Sequence, residues 1–140
     1  MIYFLLEKVE VINSSEFSKE EIDDPDIIEN MVSVKYMELK VQNLDLEIKR
    51  IEGRPPSELR RKFLTLKVRY NKMKEAIQEG DLSLKDYIVI IEKQLNKDKR
   101  LALYFKQNNN SKSYTIVSER LKVMLKEFKE LKEAMNHSKK

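Results

Sequence analysis

The sequence predicts an all-α protein: four long helices folded as two antiparallel hairpins in a coiled-coil-like bundle, behind a short extended N-terminal segment. Three observations carry that expectation. Apolar residues recur at alternating three and four spacing, the rhythm of helices packed side by side at a shallow angle. The 140 residues include only 2 Gly and 3 Pro while 37% are charged, which disfavours a turn-rich β fold. The few helix breakers also fall where four helices would be separated.

Residues 1–23 read as an N-terminal apolar segment followed by an acidic linker, and residues 24–140 as the bundle. From Ile2 to Ile12 the apolar residues alternate with charge at Val9 and Val11, the pattern of a short extended piece. Asn13-Ser14-Ser15 and the acids up to Asp23 read as linker. Asp24-Pro25-Asp26 has the features of a helix start: a capping acid, a proline where its missing N–H is harmless, and a second acid at the positive end of the dipole. A first helix over about 25–52 follows, with Ile27, Val34, Met37, Val41, Leu44, Ile48 and Ile51 as its stripe and the polar Asn30 interrupting it. Gly53 can take a left-handed conformation, and Pro55-Pro56 forbid continuation.

Ser57 is placed to cap a second helix over about 57–79, whose stripe is Leu59, Phe63, Leu66, Tyr70, Met73 and Ile77. After Gly80-Asp81-Leu82, Ser83 and Asp86 have the spacing of a capping box for a third helix, about 83–107. That helix carries Leu84, Ile88, Ile91, Leu95, Asp98, Ala102 and Phe105, and Leu101, Leu103 and Tyr104 make its second half apolar on several sides. Such a helix touches more than one neighbour. Asn108-Asn109-Asn110-Ser111 ends it, and Ser111 or Ser113 would cap a fourth helix over about 113–136 with the stripe Tyr114, Val117, Leu121, Met124, Phe128, Leu131 and Met135. Connections this short make consecutive helices antiparallel neighbours.

Composition also excludes functions. The chain has no Cys, so disulfides, thiolate nucleophiles and the usual zinc sites are ruled out, in keeping with a reducing compartment. No apolar run approaches the roughly 18 residues of a membrane span, and Ile2 to Leu6 is too short and lacks the basic flank of a secretory signal. A cytoplasmic protein is expected. His137, the single histidine, lies in a charged tail, and the pairs Glu20-Glu21 and Asp23-Asp24 sit in linker, where nothing sets a catalytic separation. There is no glycine-rich phosphate loop, metal-ligand spacing or nucleophile elbow. A non-enzyme without cofactor or small-molecule substrate is expected.

Charge is unevenly placed. Residues 1–31 hold 2 Lys and 9 acids, a net of −7, so the remaining residues carry +11 against the whole-chain +4. A basic helical body can meet an acidic helix, anionic lipid or phosphate, and the leader can fold back on its own body. Lys49, Arg50, Arg54, Arg60, Arg61 and Lys62 straddle the turn between the first two helices and are the candidate anion- or partner-binding residues. Solvation of a helix end would account for the same charges without a partner. Nucleic acid is disfavoured as a ligand because no stacking surface or recognition-helix motif accompanies them, Tyr70, Tyr87 and Tyr104 fitting core positions. A second patch, Lys93, Lys97, Lys99 and Arg100, is diluted by Glu92 and Asp98. Leu39, Leu46, Leu64 and Val68 lie beside the main seams and are more apolar surface than two hairpins use. They point to another protein helix, or a second copy of the chain, as partner.

From Glu75 to Met135 the run EAIQEGDLSLKDYIVIIEKQLNKDKRLALYFKQNNNSKSYTIVSERLKVMLKEFKELKEAM, preceded by DPDIIENMVSVKYMELKVQNLDLEIKRIEGRPPSELRRK, resembles the C-terminal helical region of the coiled-coil and C2 domain-containing proteins of the lethal giant discs type. The resemblance spans about residues 24–135 and rests on hairpin rhythm and texture. It implies a cytosolic, endosome-associated adaptor that works with membrane-remodelling ESCRT subunits, with Ile2 to Ile12 as the last strand of a preceding C2 sandwich. The family's ESCRT-binding repeats and most of its C2 domain have no counterpart in this chain, so no binding residue carries over.

Overall fold

A computed structural model describes residues 10–138. Among the described residues there are five α-helices, two single 3-10 turns and no strand: α1 Lys19–Asp23, α2 Val34–Arg50, α3 Ser57–Gln78, α4 Leu84–Gln107 and α5 Ser111–Ser138, with the 3-10 turns at Ser14–Glu16 and Ile28–Asn30. The extended piece expected at residues 2–12 lies, for residues 2–9, outside the described residues.

The largest correction concerns the first long helix, which begins at Val34 rather than near residue 25. Asp24-Pro25-Asp26 does not cap a helix because its polar groups serve other partners. Asp24 accepts the Asp26 N–H at 3.0 Å, and the Asp26 carboxylate takes the Tyr36 hydroxyl at 2.7 Å and Lys40 at 2.8 Å. The Pro25 carbonyl accepts from Arg120. Ser33 is the cap instead, its Oγ accepting the Tyr36 N–H at 3.0 Å. Two other caps also differ. Pro56 precedes α3 with no side-chain cap, which leaves Ser57 as the first helical residue. At α5, Asn110 Oδ1 accepts the Ser113 N–H at 3.1 Å, so neither Ser111 nor Ser113 serves. Ser83 caps α4 by accepting the Asp86 N–H at 3.1 Å. Gly53 and Gly80, at φ +82° and +83°, supply the left-handed backbone of the α2–α3 and α3–α4 turns, where a side chain would be strained.

Helices α4 and α5 pack along each other, as do α2 and α3. The first pair buries Tyr87, Ile91, Leu95 and Met124 at one end and Leu101, Ala102, Phe105 and Val117 at the other. The second buries Tyr36, Met37, Leu44 and Leu66 with Met31, flanked by Leu59, Phe63 and Tyr70. The pairs meet through Val34, Met73 and Ile77, which pack on the α4/α5 core, and through Val123, which packs on the α2/α3 core. The leader covers a further side of α4, with Phe17 and Ile22 on the Leu101–Phe105 cluster and the Phe17 ring 5.6 Å from that of Tyr104. Thus α4, the helix with apolar residues on several sides, has three neighbours.

The α5 stripe seats as expected through Val117, Leu121, Met124, Phe128 and Leu131, but the most deeply buried line of the helix also takes in polar residues. Its buried residues are Ser113, Val117, Arg120, Met124 and Glu127, alternating four and three apart, while Tyr114 is exposed. Two charged side chains therefore sit in the centre of the molecule.

Candidate interaction surface

The buried charges explain what fixes the polypeptide before α2. Asp98, fully buried on α4, accepts from Arg120 Nε at 2.7 Å and Nη2 at 2.8 Å, and from Gln94 at 2.9 Å. Arg120 also reaches Asp26 at 3.6 Å, so one guanidinium binds α4 and the leader. Asp98, the polar member of its helix's stripe, is half of a buried ion pair; Asn30, which interrupts the first expected stripe, is exposed in its 3-10 turn.

Glu127 forms the second cluster. Its carboxylate accepts the Ser33 hydroxyl at 2.6 Å, the Tyr87 hydroxyl at 2.8 Å and the Lys35 N–H at 3.2 Å, while the Tyr87 oxygen accepts the Val34 N–H at 2.8 Å. An anion thus sits at the positive end of α2 and satisfies N–H groups that the helix leaves unpaired. Burial first, and then the neighbouring carboxylates Asp26 and Glu127, push the Tyr36 and Tyr87 hydroxyls far above the ordinary tyrosine range, so both remain donors. Among the described residues no buried side-chain polar atom lacks a partner. These clusters are closed, each buried polar group in them being held by another group of the chain.

The acidic leader folds back on the second basic patch. Arg100 binds Glu16 at 2.6 Å and Glu10 at 3.0 Å, and Lys97 binds Glu21 at 2.7 Å. The Ile12 N–H donates to Gln107 at 3.0 Å, and Gln107 donates in return to the Glu10 carbonyl at 2.7 Å. Hydrogen bonds from Arg100 hold the Glu10 and Glu16 carboxyls below the usual carboxylate range. Glu21 is lowered as well: its partial burial works against ionisation but is outweighed by Lys97 and Ser18.

The six candidate basic residues lie on the last turn of α2, the linking turn and the first turns of α3. Lys49 pairs with Asp45 at 2.8 Å, and the half-buried Arg60 donates to the Pro55 carbonyl at 3.2 Å. Arg50, Arg54, Arg61 and Lys62 are exposed and make no ion pair among the described residues. His137 is exposed near the end of α5, and among the described residues no group of three or more His, Cys, Asp or Glu could hold a metal ion.

Leu39, Leu46, Leu64 and Val68 are 39%, 51%, 59% and 52% exposed, which separates them from the helix cores. Leu64 and Val68 are one turn apart on the side of α3 opposite Leu66, Tyr70 and Met73. A groove of about 380 Å³ runs beside Val68, between α3 and the Ile28–Asn30 turn. Leu39 borders a groove of about 350 Å³ between α2 and α5. Single exposed leucines are ordinary; here Leu39 and Val68 each border a groove, and Leu46 and Leu64 lie on the same faces of their helices.

No protein-family model, curated protein or solved structure matches this chain.

Proposed function

We propose that this chain is a non-catalytic protein–protein interaction module: two antiparallel hairpins, α2/α3 and α4/α5, of which the first presents its outer side to a partner. The observation that carries this reading is the exposure of Leu39, Leu46, Leu64 and Val68 on helices whose opposite sides are already filled. The closed polar clusters favour a scaffold over an enzyme, since every buried ionisable group there has a structural partner. The resemblance of residues 24–135 to the lethal giant discs-like proteins directs the search toward an adaptor role in endosomal sorting, with ESCRT subunits as partners.

The test is crosslinking capture with the full chain and with a variant carrying Leu39→Ser, Leu46→Ser, Leu64→Ser and Val68→Ser, together with light scattering across concentration. A partner held by the parent and lost in the variant, or a dimer lost in it, supports the reading. A strict monomer with identical capture by both proteins counts against it.

A second reading rests on Arg50, Arg54, Arg61 and Lys62, which are exposed without ion pairs: the α2–α3 tip binds an anionic membrane surface. Flotation with phosphatidylserine vesicles tests it. Charge reversal at Arg54 and Arg61 without loss of binding would reject the tip as the site.

A further inference from the structure

An apolar groove and unmatched positive charge coincide along the outer side of α3. Ile28, Val68, Met73 and Ala76 give the groove its apolar lining, and Thr65, the two cations Arg69 and Lys72 and the single carboxylate of Glu29 complete it. Arg69 is fixed there by donating to the Met31 carbonyl at 2.7 Å. Leu64 extends the apolar track by one turn; Lys72, four residues after Val68, ends it in the same row, and Arg61 lies on the same helical face. Over its whole length α3 has seven basic residues and two acids, a net of +5. Arg61, Lys62 and Lys72 make no ion pair among the described residues.

The other basic face of the molecule shows how such a surface is satisfied. There the leader places Glu10, Glu16 and Glu21 on Lys97 and Arg100 while Phe17 and Ile22 seat on the apolar residues beneath. On α3 the same pairing of apolar track and cations has no cover among the described residues.

Resting on the interaction-module reading, we propose that the α3 groove receives an acidic amphipathic helix from a partner protein. Two aliphatic side chains one turn apart would lie against Leu64 and Val68, with carboxylates toward Arg61, Arg69 and Lys72. A helix fits because the anchor points repeat at one helical turn and α3 offers no free backbone to an extended strand. A protein fits better than a bilayer, because Phe63 and Tyr70 are half-buried under Lys67 and Lys74, which leaves Leu64 and Val68 as the only large apolar residues exposed on α3.

The experiment is fluorescence anisotropy with the full chain and a labelled, stapled helical peptide that carries Leu at three-four spacing and Glu on both flanks. The expected result is saturable binding that weakens about tenfold as salt rises from roughly 0.05 to 0.3 M. Val68→Ser and Lys72→Glu should each lower affinity about tenfold, with circular dichroism unchanged, whereas Leu125→Ser on α5 should have no effect. Insensitivity to both α3 variants, equal binding of a non-helical peptide of the same composition, or displacement of the peptide by phosphatidylserine vesicles would overturn the assignment. Partner capture that is lost with Leu39→Ser and Leu46→Ser but kept by the α3 variants would also overturn it, while leaving the interaction-module reading in place.

Discussion

Truncating Arg120 to Ala should be among the most damaging single changes available to this chain. Asp98 is fully buried and takes two guanidinium hydrogen bonds, at 2.7 and 2.8 Å. Without them its carboxylate keeps only the amide of Gln94, 2.9 Å away. Removing one partner of a buried pair costs about 3–5 kcal/mol, and the Pro25 carbonyl also loses its donor. Asp98→Asn should be milder: Oδ1 is kept as an acceptor, but a donor now faces Arg120 Nε, at a cost of about 2–3 kcal/mol. The double variant Asp98→Leu with Arg120→Met removes both charges and should cost less than Arg120→Ala alone, because no isolated charge remains. Urea unfolding followed by circular dichroism gives the comparison, provided the slope with denaturant is unchanged. A loss below about 1 kcal/mol for Arg120→Ala, or a double variant less stable than Arg120→Ala, would refute the reasoning.

Ser33→Ala removes the α2 cap and one donor to Glu127, so a loss of about 1–2 kcal/mol is expected in the same assay. Met37, at 0% exposure in the α2/α3 core, should cost about 2–5 kcal/mol when cut to Ala, whereas Leu46→Ala, at 51% exposure, should fall within about 0.5 kcal/mol of the parent. The leader should respond to acid. Because the Glu10, Glu16 and Glu21 carboxyls are depressed in the folded chain, their contribution is complete above the ordinary value of 4.5 and is lost as pH falls through the lowered values. Carboxyl titration by NMR should therefore show the leader's ion pairs intact from neutrality to about pH 5, and release between pH 5 and 8 would contradict the assignment.

Helical class and the breaks between long helices were readable because they depend on local chemistry: three-four spacing, Gly80, Pro55-Pro56 and the asparagine run. Leu39, Leu46, Leu64 and Val68 were also visible as surplus apolar residues, since a helix wheel needs only one sequence. The start of α2 was not. Local capping rules favour Asp24-Pro25-Asp26, but Arg120, Tyr36 and Lys40 occupy those groups from residues distant in sequence. No rule of spacing foretells which carboxylate a distant arginine takes. The polar seam of α5 did leave a trace. Arg120 and Glu127 lie seven residues apart on either side of Met124, which is heptad spacing, yet two charges on one stripe read more readily as its solvated edge. The leader's return to α4 was foreshadowed by charge asymmetry alone; which acids meet which cations depends on the path set by Phe17 and Ile22.

The absence of cysteine allows the exposed side of α3 to be tested with a single introduced thiol. Leu64→Cys and Leu66→Cys place that thiol at positions 59% and 1% exposed, two residues apart on one helix. If the outer side of α3 is open for a partner, Leu64→Cys reacts with a maleimide about as fast as a free thiol, Leu66→Cys reacts at least about a hundredfold more slowly, and the acidic helical peptide protects only the former. Labelling of Leu64→Cys as slow as that of Leu66→Cys, in the isolated chain, would contradict the account.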